Sequence, residues 1–219
     1  MADYGIQVEN SSGEIQIDST YKNYALKQTG STGVAYGQNV IDITDVSSAP
    51  IFAAKANSSY YHCLYGLAES GSNYTDAYVD AEGSFTLAWK TFVPGNVQTL
   101  PTYGLIIRNS SNEIVFSSAD TWLKLKGVYS RSVALNATSD VTVNDAANNY
   151  FYLSDYSWNL WSESAGPPLF HFMYEARGIK YINATTVRIG TFQFGDGIIP
   201  AEITGGAWYN DCTLIEFGV

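Results

Sequence analysis

The chain has 219 residues, of which 46% are hydrophobic and only 15% charged, with a net charge of −10. This balance excludes a disordered chain, which shows few apolar and many charged residues. The acidic surface repels a phosphate backbone and an anionic membrane, so nucleic acid is excluded as a direct partner.

Tyr, Phe and Trp together make up 15% of the chain, alongside frequent Thr, Val and Ile, and 19 Gly. Such side chains suit a pleated, half-buried surface, and Asn, Ser and Asp gather between the apolar runs. No long stretch carries a 3.6-residue apolar stripe. No 18-residue apolar run exists, so no membrane-spanning helix is expected. The opening residues lack the basic and apolar regions of a signal peptide, which predicts synthesis in a cytosol without export by the usual route.

The first predicted element is a hairpin over residues 4–19. Ile6 and Val8 share one face, Gln7 and Glu9 the other, and Ile15 and Ile17 repeat the alternation after the turn. The turn is Asn10-Ser11-Ser12-Gly13, where an Asn side chain caps and Gly takes the left-handed position. Residues 103–118 align with it without gaps, and eight of the sixteen positions are identical. Asn112 stands where the first copy has Gly13, and Asn is the non-Gly residue best suited to a left-handed backbone. Ile106, Val115 and Phe116 make the second copy more apolar, which predicts burial on both of its faces. The repetition points to an internal duplication into two related β-rich units, 1–99 and 100–219, each opening with its hairpin, with residues 95–102 as linker.

Further strands are expected at 40–44, 60–67, 85–92, 128–136, 150–153, 169–174, 187–194 and 213–217. Apolar parity shifts from Val187 and Ile189 to Phe192 and Phe194, which predicts a bulge at Gly190. The fold class is all-β, an antiparallel β-sandwich or a pair of them.

Chemistry is sparse. His62 and His171 sit among aromatics in strand-like runs and read as structural. Cys63 and Cys212 read as reduced and buried, although they could pair. Adjacent His62 and Cys63 point to opposite faces of a strand, a poor chelate, so no metal and no cofactor is expected. Asp76, Asp80, Glu82, Asp140 and Asp145 lack calcium-loop spacing and read as solvated loop charges. No nucleophile elbow, phosphate loop or dinucleotide fingerprint occurs, so no catalytic residue is assigned. The surface stretch 150–168 holds Tyr152, Tyr156, Trp158 and Trp161 among Asn, Asp and Ser, and ends in Pro167-Pro168. Loop aromatics of this kind either plug a sandwich end or stack on sugars and anchor partners.

The hairpin signature carries a family resemblance. Tyr4, Gly5, Ile6, Val8, Asn10, Gly13, Ile17, Asp18 and Ser19 resemble the opening of small virion structural proteins of long-tailed bacteriophages, found at the tail tip or tail fibres. Residues 103–118 resemble it too, with Asn112 for Gly and Ser117 for Asp. The resemblance implies a virion location, partnership with other tail proteins, assembly as a homo-oligomer, and no catalytic residues. The doubled signature departs from the single copy it leads one to expect. A receptor- or glycan-binding module using Tyr152, Tyr156, Trp158 and Trp161 is the alternative expectation.

Overall fold

The computed structural model describes residues 7–9, 15–18, 24–55, 58–94, 102–154, 157–166, 169–199 and 205–218. The turn at 10–13, most of the expected linker, Tyr156 and Pro167-Pro168 lie outside the described residues.

The chain is all-β. Its first half supplies β1 (Gln7–Glu9), β2 (Ile15–Asp18), β3 (Tyr24–Val34), β4 (Gly37–Val46), β5 (Ile51–Ala54), β6 (His62–Ser70), β7 (Asn73–Ala81) and β8 (Phe85–Pro94). Its second half supplies β9 (Ile106–Arg108), β10 (Ile114–Ser117), β11 (Lys124–Ser132), β12 (Thr138–Thr142), β13 (Tyr150–Leu153), β14 (Trp158–Gly166), β15 (Leu169–Asn183), β16 (Thr186–Ile199), β17 (Gly205–Ala207) and β18 (Asp211–Gly218).

The two hairpins pair in one register. Gln7 faces Asp18, Val8 faces Ile17 and Glu9 faces Ile15; Ile106 faces Ser117, Ile107 faces Phe116 and Arg108 faces Ile114. The slip in register falls at the same place in both. In the second turn Asn112 has φ 63°, the left-handed value expected of it. The Asn109 Oδ1 accepts from the Ser111 and Glu113 amides at 3.0 and 2.9 Å, the side-chain cap of an Asx turn. Burial on both faces is not found. Ile107, Val115 and Ser117 are buried, but Ile106 is 37% exposed, so its exchange for Gln7 adds no core.

The remaining strands repeat as well. A six-stranded sheet, sheet I, runs β11-β18-β13-β5-β8-β3. An eight-stranded sheet, sheet II, runs β12-β16-β15-β6-β7-β4, with β14 and β17 added beside β15. Reading β3, β4, β5, β6, β7 and β8 as counterparts of β11, β12, β13, β15, β16 and β18 makes each half a copy of the other, three strands in each sheet. The counterparts β5 and β13 meet antiparallel in sheet I, and β6 and β15 meet antiparallel in sheet II. Antiparallel contact between equivalent strands is the geometry of a two-fold axis, so the chain holds its halves as an isologous dimer would.

The correspondence extends to single residues. Leu26 faces Phe92 and Leu125 faces Phe217, and each ladder then bulges past a lysine, Lys27 or Lys126. Equivalent positions are buried together: Phe52 with Phe151, Leu87 with Cys212, Ile41 with Val141, Val79 with Ile189 and Phe92 with Phe217. Two interior clusters result, one per half, each closed by both sheets. The packing is exchanged at one pair. In the first half Trp89 lies over Gly30, where a Cβ would meet its ring at 2.2 Å; in the second half the same two positions hold Leu214 and Tyr129. A large and a small side chain have changed strands while the filled volume is kept.

The bulge expected at Gly190 lies elsewhere. Gly190 stays in register with both Gly178 and Thr138, and the slip falls where Tyr174 and Glu175 face Gly195 and Gln193, leaving Phe194 extra. Val187 and Ile189 point into the sandwich, whereas Phe192 belongs to a separate cluster with Tyr61, Cys63 and Ala176. Parity shifts because a second apolar surface begins there. Gly190 is glycine because the Tyr61 hydroxyl would lie 2.5 Å from a Cβ.

Candidate functional site

The second half departs from the first beyond Arg177 and Thr191, which match His62 and Ala81 by register. There β15 and β16 run on, and β14 and β17 join them in an antiparallel extension with no counterpart among the described residues of the first half.

Strand alternation gives the extension two unlike faces. One carries Trp158, Leu160, Phe172, Tyr174 and Phe194, with Phe172 edge-on to Tyr174 at 5.5 Å and Tyr174 tilted against Phe194 at 5.8 Å. Gly197 leaves room for the Phe172 ring, which a Cβ would meet at 2.5 Å. The other face carries Asn159, Trp161, His171, Met173, Glu175, Gln193 and Asp196. On it the Trp161 indole donates to Glu175 Oε2 at 3.1 Å, and the Asn159 amide donates to the same oxygen at 3.4 Å. His171 Nε2 lies 3.5 Å from Asp196 Oδ2, and Tyr36, in the turn between β3 and β4, donates to Asp196 Oδ1 at 3.4 Å. Partial burial and the Asp196 charge together raise the Tyr36 pKa above that of an ordinary phenol.

This second face presents carboxylate and amide acceptors beside an aromatic ring, and its described residues include no Lys or Arg. Such a surface suits a neutral, hydroxyl-rich ligand and repels an anionic one.

The stretch foreseen as a loop at 150–168 is mostly strand, β13 and β14. Its aromatics are not gathered. Tyr152 lies opposite Ile215 on the outer side of sheet I, and Trp158 and Trp161 point to opposite faces of the extension. Asn159, Glu175, Gln193 and Asp196 were not singled out from sequence. The alternation of His171, Met173 and Glu175 with Phe172 and Tyr174 is the signal that marks such a two-faced strand.

The other candidates are structural. Asp80 is fully buried in β7 and is not a solvated loop charge. Asp145 caps its own loop through the Ala147 and Asn148 amides, and Asp140 pairs with Arg188 at 2.5 and 2.8 Å on the surface. Cys63 and Cys212 are buried and are not joined in a disulfide. His171 is a third exposed and faces Asp196, away from the aromatics beside it in sequence. His62 is buried against the Phe85 ring, and burial lowers its pKa to about 4, the Tyr60 backbone offsetting only part of that effect. Its counterpart Arg177 is equally buried but donates to the Val133, Tyr209 and Asp211 carbonyls and stacks on Trp208. Among the described residues no three His, Cys, Asp or Glu side chains gather as metal ligands would.

Comparison with known proteins adds no relative: no family model, no curated protein and no solved structure matches the chain.

Proposed function

We propose that the chain is a non-enzymatic structural component of a bacteriophage tail, at the tip or fibre region, assembling with itself and with other virion proteins. The observation that carries this reading is the doubled hairpin signature, resembling the opening of long-tailed phage virion proteins in both copies. Its two copies share one register and one slip, and each precedes six strands that correspond between the halves, with β14 and β17 added in the second. A chain with few charged and many aromatic residues suits a part that is covered in an assembly. The test is quantitative mass spectrometry of purified particles from a lysate in which the gene is expressed. Recovery of the chain in intact particles, at a copy number matching a rotational symmetry, supports the reading; its absence from particles overturns it.

A second reading, recognition of a host-surface glycan, is favoured by the polar face of the extension, where Trp161 stands beside Glu175 and Asn159. Its ligand is a neutral or amino-sugar glycan rather than an anionic polymer. Binding on a glycan array that Trp161→Ala removes, with unchanged thermal unfolding, supports this reading. No binding to any array member or host surface sinks it.

A further inference from the structure

The pseudo-two-fold axis lets one side of the molecule serve as the control for the other. In sheet I the counterparts β5 and β13 share a single ladder pair, Ala54 with Phe151. The symmetry-related pair, Phe52 with Leu153, is not formed, and leucine stands where the closed side has Ala54. Beside this unmade pair lies an apolar cavity of about 440 Å³, lined by Ile51, Phe52, Leu64, Tyr152, Leu153 and Ile215 among others.

On the closed side the register puts Tyr150 where the cavity has Ile51, and Lys90 where it has Ile215. There the Lys90 and Lys55 ammonium groups lie 4.7 and 5.4 Å from the centre of the Tyr150 ring and cover it. Equivalent backbone is therefore covered by the protein's own side chains on one side and left open on the other. The cavity follows from the side chains at these positions and not from the fold.

Among the described residues no charged side chain lines the cavity. An ion entering it would lose its hydration without compensation, which excludes charged ligands. The volume is roughly three times that of an apolar cavity of about 150 Å³ that accepts benzene. At its inner end, across Phe52, Leu64, Tyr152 and Leu153, lies a void of about 20 Å³ also lined by His62. His62 is 2% exposed; its ring lies beside the Tyr60 backbone, and among the described residues neither ring nitrogen makes a hydrogen bond of ordinary geometry. A neutral imidazole offers one donor and one acceptor.

We propose that this cavity binds a neutral, largely apolar small molecule of two or three rings, or an equivalent branched chain, with one hydrogen-bonding group directed at His62. The site is independent of the tail-protein reading and of the polar face of the extension.

The experiment titrates the full chain with the neutral fluorophore N-phenyl-1-naphthylamine, whose amine supplies the hydrogen-bonding group. The expected result is saturable binding of one probe per chain. Ile215→Trp and Ile51→Trp, which fill the cavity from its outer side, weaken binding at least tenfold, while Lys90→Ala on the related side leaves it unchanged. His62→Phe reduces the preference for 1-naphthol over naphthalene, measured by displacement of the probe. All variants are compared at equal thermal unfolding, and the two Trp variants guard against one failing to fold. Absence of saturable binding, or equal binding in folded Ile215→Trp and Ile51→Trp, overturns the proposal. So does a stoichiometry that falls as protein concentration rises, because it would place a second copy of the chain in the cavity.

Discussion

The two halves share a strand order, a register and a set of buried positions, yet they satisfy their buried polar groups in different ways. At the bulge of sheet I the first half places Thr91, buried, with no hydrogen-bond partner for its hydroxyl among the described residues. The second half places Glu216 there, fully buried. Its carboxylate accepts five hydrogen bonds: from the Tyr129 hydroxyl at 2.8 Å, the Asn144 and Asp145 amides at 3.0 and 2.9 Å, and the Asn144 and Asn149 side chains at 2.9 and 2.6 Å. Burial alone would raise its pKa, but these donors outweigh burial and hold it below the ordinary glutamate value. The same network pushes the Tyr129 phenol up to about 12, with burial the largest cause. One backbone position can thus be filled by a small hydroxyl or by a buried anion, provided that the neighbouring loop supplies the donors.

The largest effect expected of a single change breaks this contrast. Glu216→Ala removes the acceptor of five hydrogen bonds and should cost about 3–5 kcal/mol in urea unfolding, because buried groups left unpaired lose hydration without return. Thr91→Val should be neutral or slightly stabilising. A similar cost at both sites would mean that the halves are held together alike.

The exchanged packing pair comes next. Trp89→Leu should cost about 2–4 kcal/mol through the space it leaves, and Gly30→Tyr a similar amount through its clash with the Trp89 ring. Together they copy the Leu214 and Tyr129 arrangement, so the double variant should be more stable than the sum of the singles predicts, by at least about 1 kcal/mol. Strict additivity in chemical unfolding would show that the halves are not interchangeable at this point.

The smallest expected effect concerns the symmetry-related pair His62 and Arg177. His62 has a folded pKa of about 4 against an ordinary 6.5, so between these values the unfolded chain binds a proton that the folded chain does not. Stability is therefore complete above pH 6.5 and is lost as pH falls toward 4, by about 2–3 kcal/mol. His62→Leu should flatten the unfolding free energy across that window. Glu216 contributes in the same direction at lower pH: its depressed pKa gives stability present above the ordinary glutamate value and lost as pH falls through its folded value. An unchanged pH profile in His62→Leu would remove His62 as its source.

The strands most readily legible were those with dense apolar or aromatic runs, such as β13 and β18, and β8 around Phe85, Leu87 and Trp89. Those passed over were β3, β5, β7, β12, β14 and β17. β3 is an edge strand with two glycines and several polar residues, and β7 alternates alanine and valine with Asp76, Tyr78 and Asp80. Their buried residues are small, so local hydrophobicity is weak although Ala77, Val79 and Ala81 are fully buried. The polar face of the extension escaped notice for a related reason. Its members come from three strands and one distant turn, and only pairing puts Asn159 beside Glu175 or Tyr36 beside Asp196.

From its sequence alone the chain is all-β, acidic, and built on a hairpin that occurs twice, with Asn112 in the left-handed turn position. These are properties of residues near one another along the chain, where alternation, turn chemistry and a constant offset can be read directly. Tertiary structure decided that the halves meet about a pseudo-two-fold axis and share both sheets. It also decided that Asp80 and Glu216 are buried, that Trp158 and Trp161 face apart, and that one side of the axis is covered while the other holds a cavity. Each of these depends on which strands become neighbours and in what register. That choice is made by burying large surfaces between segments far apart in the chain, and no local pattern records it.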